Sequence, residues 1–198
     1  MKNTLRNSML VVVLSIATLA MTRANDFYLS VKKDDNRTVD LFVEKSNQPI
    51  AISFVDAKGE VLYNYEYKQL PTNVKRYNFK GLPTGTYYFV VENEIKIERV
   101  PVVFTDGKTI VEREKEEVTY KPYFRKDGSV LSVNMLSSDM SPVTVKVYNE
   151  TTNELVHEEI LKGAKSVGKR FDFSNAQKGS YRFEVTRKGN TFYKTVSL

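Results

Sequence analysis

The segment Arg76-Tyr77-Asn78-Phe79, leading to Gly85-Thr86-Tyr87-Tyr88-Phe89-Val90-Val91, returns 94 positions later. There it reads Arg170-Phe171-Asp172-Phe173, leading to Gly179-Ser180-Tyr181-Arg182-Phe183-Glu184-Val185. A repeat of this kind means that one supersecondary unit is built twice, and it fixes the domain count before any strand is assigned. Further upstream the offset is 93: Pro49, Ile50, Ile52 and Phe54 fall on Pro142, Val143, Val145 and Val147, and Asp34 falls on Asp127. The register slips between Asp56-Ala57-Lys58-Gly59 and Asn149-Glu150-Thr151-Thr152-Asn153. A one-residue slip inside a strand would send every later side chain to the other face, so the slip predicts a hairpin loop.

Within each copy, apolar residues alternate with period two over short runs, the signature of half-buried strands. Val39, Leu41 and Val43, then Ile50, Ile52 and Phe54, then Tyr87, Phe89 and Val91 show it most clearly. In the first copy strands are expected over 27–33, 39–44, 50–55, 60–67, 75–80, 86–92 and 95–103. Turn signals fall between them at Asp34-Asp35-Asn36, Asn47-Gln48-Pro49, Ala57-Lys58-Gly59, Pro71-Thr72-Asn73 and Leu82-Pro83-Thr84-Gly85. Seven strands per copy predict an all-β protein made of two tandem immunoglobulin- or fibronectin-III-like antiparallel sandwiches, with little helix.

The N-terminus has a different character. Lys2 and Arg6 precede an apolar run from Met9 to Ala20, which is followed by Met21-Thr22-Arg23-Ala24 and a polar start at Asn25-Asp26. That order is a secretory signal peptide, and the run falls short of the roughly twenty residues that span a bilayer. Cleavage is expected after Ala24, with Ala20 as the other site. The expected organisation is a signal peptide over 1–24, a first sandwich over 25–104, a linker over 105–117 and a second sandwich over 118–198. Ile110 and Val111 leave open an extension of the first domain's last strand. The product is expected in the periplasm, secreted, or at the cell surface, with no membrane span after cleavage.

Residues 1–24 contain Lys2, Arg6 and Arg23 but no acid, so cleavage lowers the net charge from +6 to +3. Half of the basic balance thus belongs to targeting. The remainder forms no dense Lys/Arg stripe, which argues against a nucleic-acid partner. There are no cysteines, so the fold must hold by its cores, and thiol catalysis and thiolate metal sites are excluded.

The order strand, Asp-x-x-Gly turn, strand, aromatic-x-aromatic, Gly-x-Tyr, strand and closing Lys-bearing strand resembles small exported immunoglobulin-like proteins of Bacteroidota. The residues that carry it are Asp56-Ala57-Lys58-Gly59-Glu60-Val61, Gly85-Thr86-Tyr87, Gly179-Ser180-Tyr181 and Lys194-Thr195-Val196. The second copy also resembles the C-terminal sorting domain of type IX secretion. That domain usually opens with a Pro-Asn-Pro-like segment, whereas Tyr123-Phe124-Arg125-Lys126-Asp127-Gly128 stands here. The resemblance implies export and fold, and for the second copy a sorting role as the alternative to binding.

Candidate chemistry is sparse. His157 is the only histidine and falls on Tyr63 in the first copy, which reads as an ordinary strand position. Asp34-Asp35-Asn36 lacks the ordered ligand spacing of a calcium loop, and Asp127-Gly128-Ser129 carries fewer ligands still. Glu158 and Glu159 are strand neighbours on opposite faces, unsuited to shared carboxylate chemistry. No catalytic residue, cofactor or metal is expected. Gly85 and Gly179 read as structural turn residues, and Tyr87 and Tyr181 as buried rings whose hydroxyls reach backbone acceptors. Tyr63, Tyr65 and Tyr67 share one face of a strand; their counterparts His157, Glu159 and Leu161 are mostly polar, which suggests a solvent-facing surface able to stack on a glycan or anchor a protein partner at the cell envelope. Cross-strand packing is the other reading of the same residues.

Overall fold

A computed structural model describes residues 27–31, 37–43, 48–68 and 73–198. The predicted signal peptide and the Asp34-Asp35-Asn36 turn lie outside the described residues. The first copy forms β1 (Phe27–Val31), β2 (Thr38–Val43), β3 (Ile50–Asp56), β4 (Val61–Tyr67), β5 (Asn73–Asn78), β6 (Gly85–Glu92) and β7 (Lys96–Phe104). After it come β8 (Thr109–Val111), a 3-10 turn over Arg113–Lys115 and β9 (Glu117–Tyr120). The second copy forms β10 (Tyr123–Asp127), β11 (Val130–Leu136), β12 (Val143–Asn149), β13 (Leu155–Leu161), β14 (Ser166–Asp172), β15 (Ser180–Arg187) and β16 (Asn190–Ser197). The 3-10 turn is the only helical element among the described residues.

The topology is duplicated. A three-stranded sheet β1-β2-β5 accompanies a sheet ordered β4-β3-β6-β7, and the second copy repeats this as β10-β11-β14 with β13-β12-β15-β16. Every pairing among the described residues is antiparallel. The two copies are therefore antiparallel β-sandwiches of one topology, the all-β class that period-two alternation predicts.

Alternation places the core. In the first sandwich Val39 and Leu41 from one sheet meet Ile50, Ile52, Phe54, Phe89, Val100 and Val102 from the other, all at most 2 % exposed. Phe54 stacks on Phe79 with ring centroids 4.2 Å apart. In the second sandwich Leu131, Val133 and Met135 face Val143, Val145, Val147, Phe183 and Val185. The first core is thus built on aromatic stacking and the second largely on branched aliphatic side chains.

The one-residue slip lies in the β3–β4 hairpin, and in its β12–β13 counterpart. Phe54 pairs with Tyr63 and Val147 with His157, and both ladders carry a bulge at the next position. Asp56 Oδ1 accepts from the amides of Lys58 and Glu60 at 2.8 Å, while Asn149 Oδ1 accepts from Thr151 and Thr152 at 3.0 and 3.1 Å. The longer second loop is accommodated by a left-handed Asn153 (φ +55°) where the first has Gly59 (φ +88°).

Residues 105–121 run along the free edge of β7. β8 pairs with Val102–Phe104, Glu112 donates its amide to the Pro101 carbonyl at 2.9 Å, and β9 pairs with Lys96–Arg99. The stretch read as a linker from its mixed charge therefore carries strand structure, and Val118, Thr119 and Tyr120 hydrogen-bond into the first sandwich's sheet. The physical reason is edge protection: an unpaired strand edge offers donors and acceptors that an adjacent extended segment satisfies.

Candidate functional site

The tyrosine face sits on β4, an edge strand. Its pairing opposes Tyr67 to Ile50, Tyr65 to Ile52 and Tyr63 to Phe54. Cross-strand partners share a face, so the three rings lie on the core-facing side of the sheet and not on the solvent side that the polar second-copy counterparts suggested. Tyr63 and Tyr67 pack against the buried cluster, whereas Tyr65 remains 48 % exposed. Edge position is the cause: β4 lies at the margin of its sheet, so its inward side chains reach the open flank of the sandwich.

That flank is closed by two rungs of side chains between β4 and β5, strands of different sheets. In the first rung Tyr63 meets Tyr77 edge to face at 5.3 Å. In the second, the Lys75 ammonium lies 4.7 Å from the Tyr65 ring centre and 4.2 Å from that of Tyr67. Burial, and then the neighbouring Tyr63 phenol, push the Tyr77 phenol up from its ordinary range.

The second sandwich has the same two rungs between β13 and β14. His157 meets Phe171 edge to face at 5.3 Å, in the places of Tyr63 and Tyr77. Lys169, in the place of Lys75, reaches Glu159 Oε2 at 2.8 Å, and Glu159 stands where Tyr65 does. His157 Nε2 also lies 3.3 Å from Glu159 Oε2. Lys169, followed by His157, holds the Glu159 carboxyl below the usual carboxylate range. Glu158 points to the other face and pairs with Lys146 at 3.3 Å. The lysine pair was absent from the sequence reading, although its signal was there: Lys75 and Lys169 stand 94 positions apart, in register with the repeat.

The Gly-x-Tyr pairs occupy the entries to β6 and β15. Gly85 has φ +156° and Gly179 φ +155°, a region that side-chain-bearing residues seldom adopt. Two residues on, Tyr87 and Tyr181 are 7 % and 6 % exposed. Tyr87 Oη donates to the Pro83 carbonyl at 3.2 Å, and Tyr181 Oη to the Gln177 carbonyl at 2.8 Å. Each phenol thereby ties the preceding crossover to the strand it enters, the corner arrangement known from immunoglobulin-type sandwiches.

Asp127 and Val130 close a two-residue hairpin through Gly128 (φ +58°) and Ser129. Among the described residues no group of three or more His, Asp or Glu is placed to hold a metal. A cleft of about 680 Å³ separates β9 from the β11–β12 loop and the β15–β16 hairpin, lined by Lys96, Glu98, Arg113, Glu116, Asp139 and Arg187 among others. Its charges are largely engaged. Lys96 pairs with Glu98 at 2.8 Å, Arg113 stands 3.5 Å from Glu116, and Asp139 pairs with both Arg187 and Lys188. Arg187, 2 % exposed, also donates from Nε to Ser137 Oγ at 3.1 Å.

Fold and site together define a tandem β-sandwich protein whose aromatic and ionic clusters brace the sandwich flanks. No protein family and no curated protein matches the sequence. Among solved structures the chain is similar to the BSP domain of a biofilm associated protein, with 11% identity and a TM-score of 0.29 over 87% of this chain and 29% of that one. It is similar also to the pullulanase of Anoxybacillus sp. LM18-11, with 11% identity and a TM-score of 0.26 over 84% of this chain and 25% of that one. The pullulanase of Bacillus acidopullulyticus gives 11% identity and a TM-score of 0.27 over 83% and 34%. The chain spans about a third or less of the length of each, and the sandwich assignment rests on the strand pairing described above.

Proposed function

We propose that this is a non-catalytic exported protein of the cell envelope that works by binding or assembly, with a protein or a glycan as its partner. The observation that carries the reading is the use to which the reactive side chains are put. The single histidine, His157, is committed to Phe171 and Glu159, and Asp139 to Arg187 and Lys188. Both groups connect strands or loops of one sandwich, as scaffold residues do. Export is supported by the charged, apolar and small-residue order of residues 1–24.

The surface available for binding on the first sandwich is the margin at Tyr65, which is 48 % exposed. Lys75 covers part of the Tyr65 and Tyr67 rings. That arrangement favours a protein contact over flat stacking on a sugar, because apolar area and a fixed cation are offered side by side. Protein and glycan arrays probed with the chain, beside a panel of hydrolase substrates, test the reading. A ligand lost on Tyr65→Ala substitution supports it; turnover without any ligand overturns it.

A further inference from the structure

β13 is the outer strand of its sheet, and among the described residues nothing pairs with its free edge. Its sequence is Leu155-Val156-His157-Glu158-Glu159-Ile160-Leu161. Leu155, Val156 and Ile160 are 43 %, 48 % and 58 % exposed, an unusual apolar load for an edge that proteins ordinarily blunt with lysine or proline.

The strand is complementary to itself. When two identical edges pair antiparallel about a twofold axis normal to the sheet, opposed residues lie on the same face, so one residue must face its own copy. Centring on Glu158 opposes His157 to Glu159 of the other copy, and Ile160 to the bulge formed by Leu155 and Val156, each of these twice. Centring on His157 instead sets the Leu155–Val156 bulge against Glu158. Centring on Glu159 sets Glu158 against Ile160 and His157 against Leu161. Only the first register places apolar groups on apolar groups and imidazole on carboxylate. Its one like-charge contact, Glu158 with itself, is eased by Lys146, which stands 3.3 Å from Glu158 in each copy.

The first sandwich lacks this property. Centring β4 on Asn64 opposes Tyr63 to Tyr65 but sets the exposed Val61–Leu62 bulge against Glu66, and it brings no pair of opposite charges across the edge. The bulge at Val156 bends the start of β13, leaving His157 to Leu161 as the regular stretch on which the register is anchored.

We infer that β13 is a homodimerisation edge, joining the four-stranded sheets of two copies of this chain antiparallel about Glu158. The inference narrows the assembly half of the proposed function, and its test involves no ligand, so the two readings fail separately. The chain has no cysteine, which makes the register directly measurable. In the full chain, Glu158→Cys places the new thiol opposite itself at a Cα separation of about 4.5–5.5 Å, within disulfide range, whereas Thr152→Cys at the hairpin tip has no such partner. Mild oxidation should convert Glu158→Cys, and not Thr152→Cys, into a covalent dimer. Light scattering should give the unmodified chain twice the mass of Ile160→Lys, with Glu66→Lys, its counterpart in β4, unaffected. A monomeric unmodified chain, a dimer that survives Ile160→Lys, or equal cross-linking at both cysteines would each overturn the inference.

Discussion

The ammonium of Lys169 lies 2.8 Å from Glu159 Oε2, at the place where its counterpart Lys75 rests over the rings of Tyr65 and Tyr67. One lysine position thus braces both sandwiches, by a salt bridge in one copy and by cation–π contact in the other. Salt screens an exposed ion pair more than an amphipathic stem packed on aromatic rings. Replacing Lys75 by Ala should therefore lower stability by about 0.5–1 kcal/mol at any ionic strength. Replacing Lys169 by Ala should have an effect that fades as salt is raised. Urea titrations in low and high salt separate the two.

Tyr87 and Tyr181 combine a buried ring with a hydroxyl tie, and the two contributions are separable. Replacement by Phe keeps the ring and removes the bond to Pro83 or Gln177, for an expected loss of about 0.5–1.5 kcal/mol. Replacement by Ala removes the ring from a core site and should cost about 3–5 kcal/mol. Equal losses for Phe and Ala in denaturation midpoints would show that the hydroxyl alone matters.

Asp139 gives the second sandwich a pH signature. Lys188, and next to it Arg187, hold its carboxyl well below the usual carboxylate range. In the unfolded chain an Asp titrates near about 3.9, so the folded state binds this proton less readily than the unfolded one. The ionised group stabilises the fold above that pH, and its contribution is lost as the pH falls below it. Asp139→Asn should reduce stability at neutral pH and flatten the decline between about pH 4 and pH 2. Thermal melts of both chains across that range check it; parallel curves would contradict the assignment.

Much of this was legible in the sequence because period-two alternation and the repeat report the same fact twice. Ile50, Ile52 and Phe54 announce an inward face, Val143, Val145 and Val147 repeat it, and the hairpin slip between them marks a loop. Of the two readings that the tyrosine strand left open, packing is the one that Tyr63 and Tyr67 follow, and the polar counterparts in the second copy are a poor guide to exposure. His157 and Glu159 are instead inward-pointing residues at a sandwich margin, where Phe171 and Lys169 satisfy them. The partnership of Lys75 and Lys169 with β4 and β13 depends on contacts between two sheets, which no local pattern encodes. The strand character of 117–120 was hidden for a similar reason, whereas Ile110 and Val111 had left a strand open and form one paired alongside β7. Those residues pair because β7 has an edge to cover, and their own alternation is weak.

The central claim is that the chain is one sandwich made twice, each with its own hydrophobic core. Hydrogen exchange measured segment by segment on Tyr181→Ala tests it most directly. Protection should fall across β10 to β16, while β2, β3, β6 and β7 keep the exchange of the unsubstituted chain. A comparable loss of protection in both halves would contradict the claim and indicate one cooperative unit.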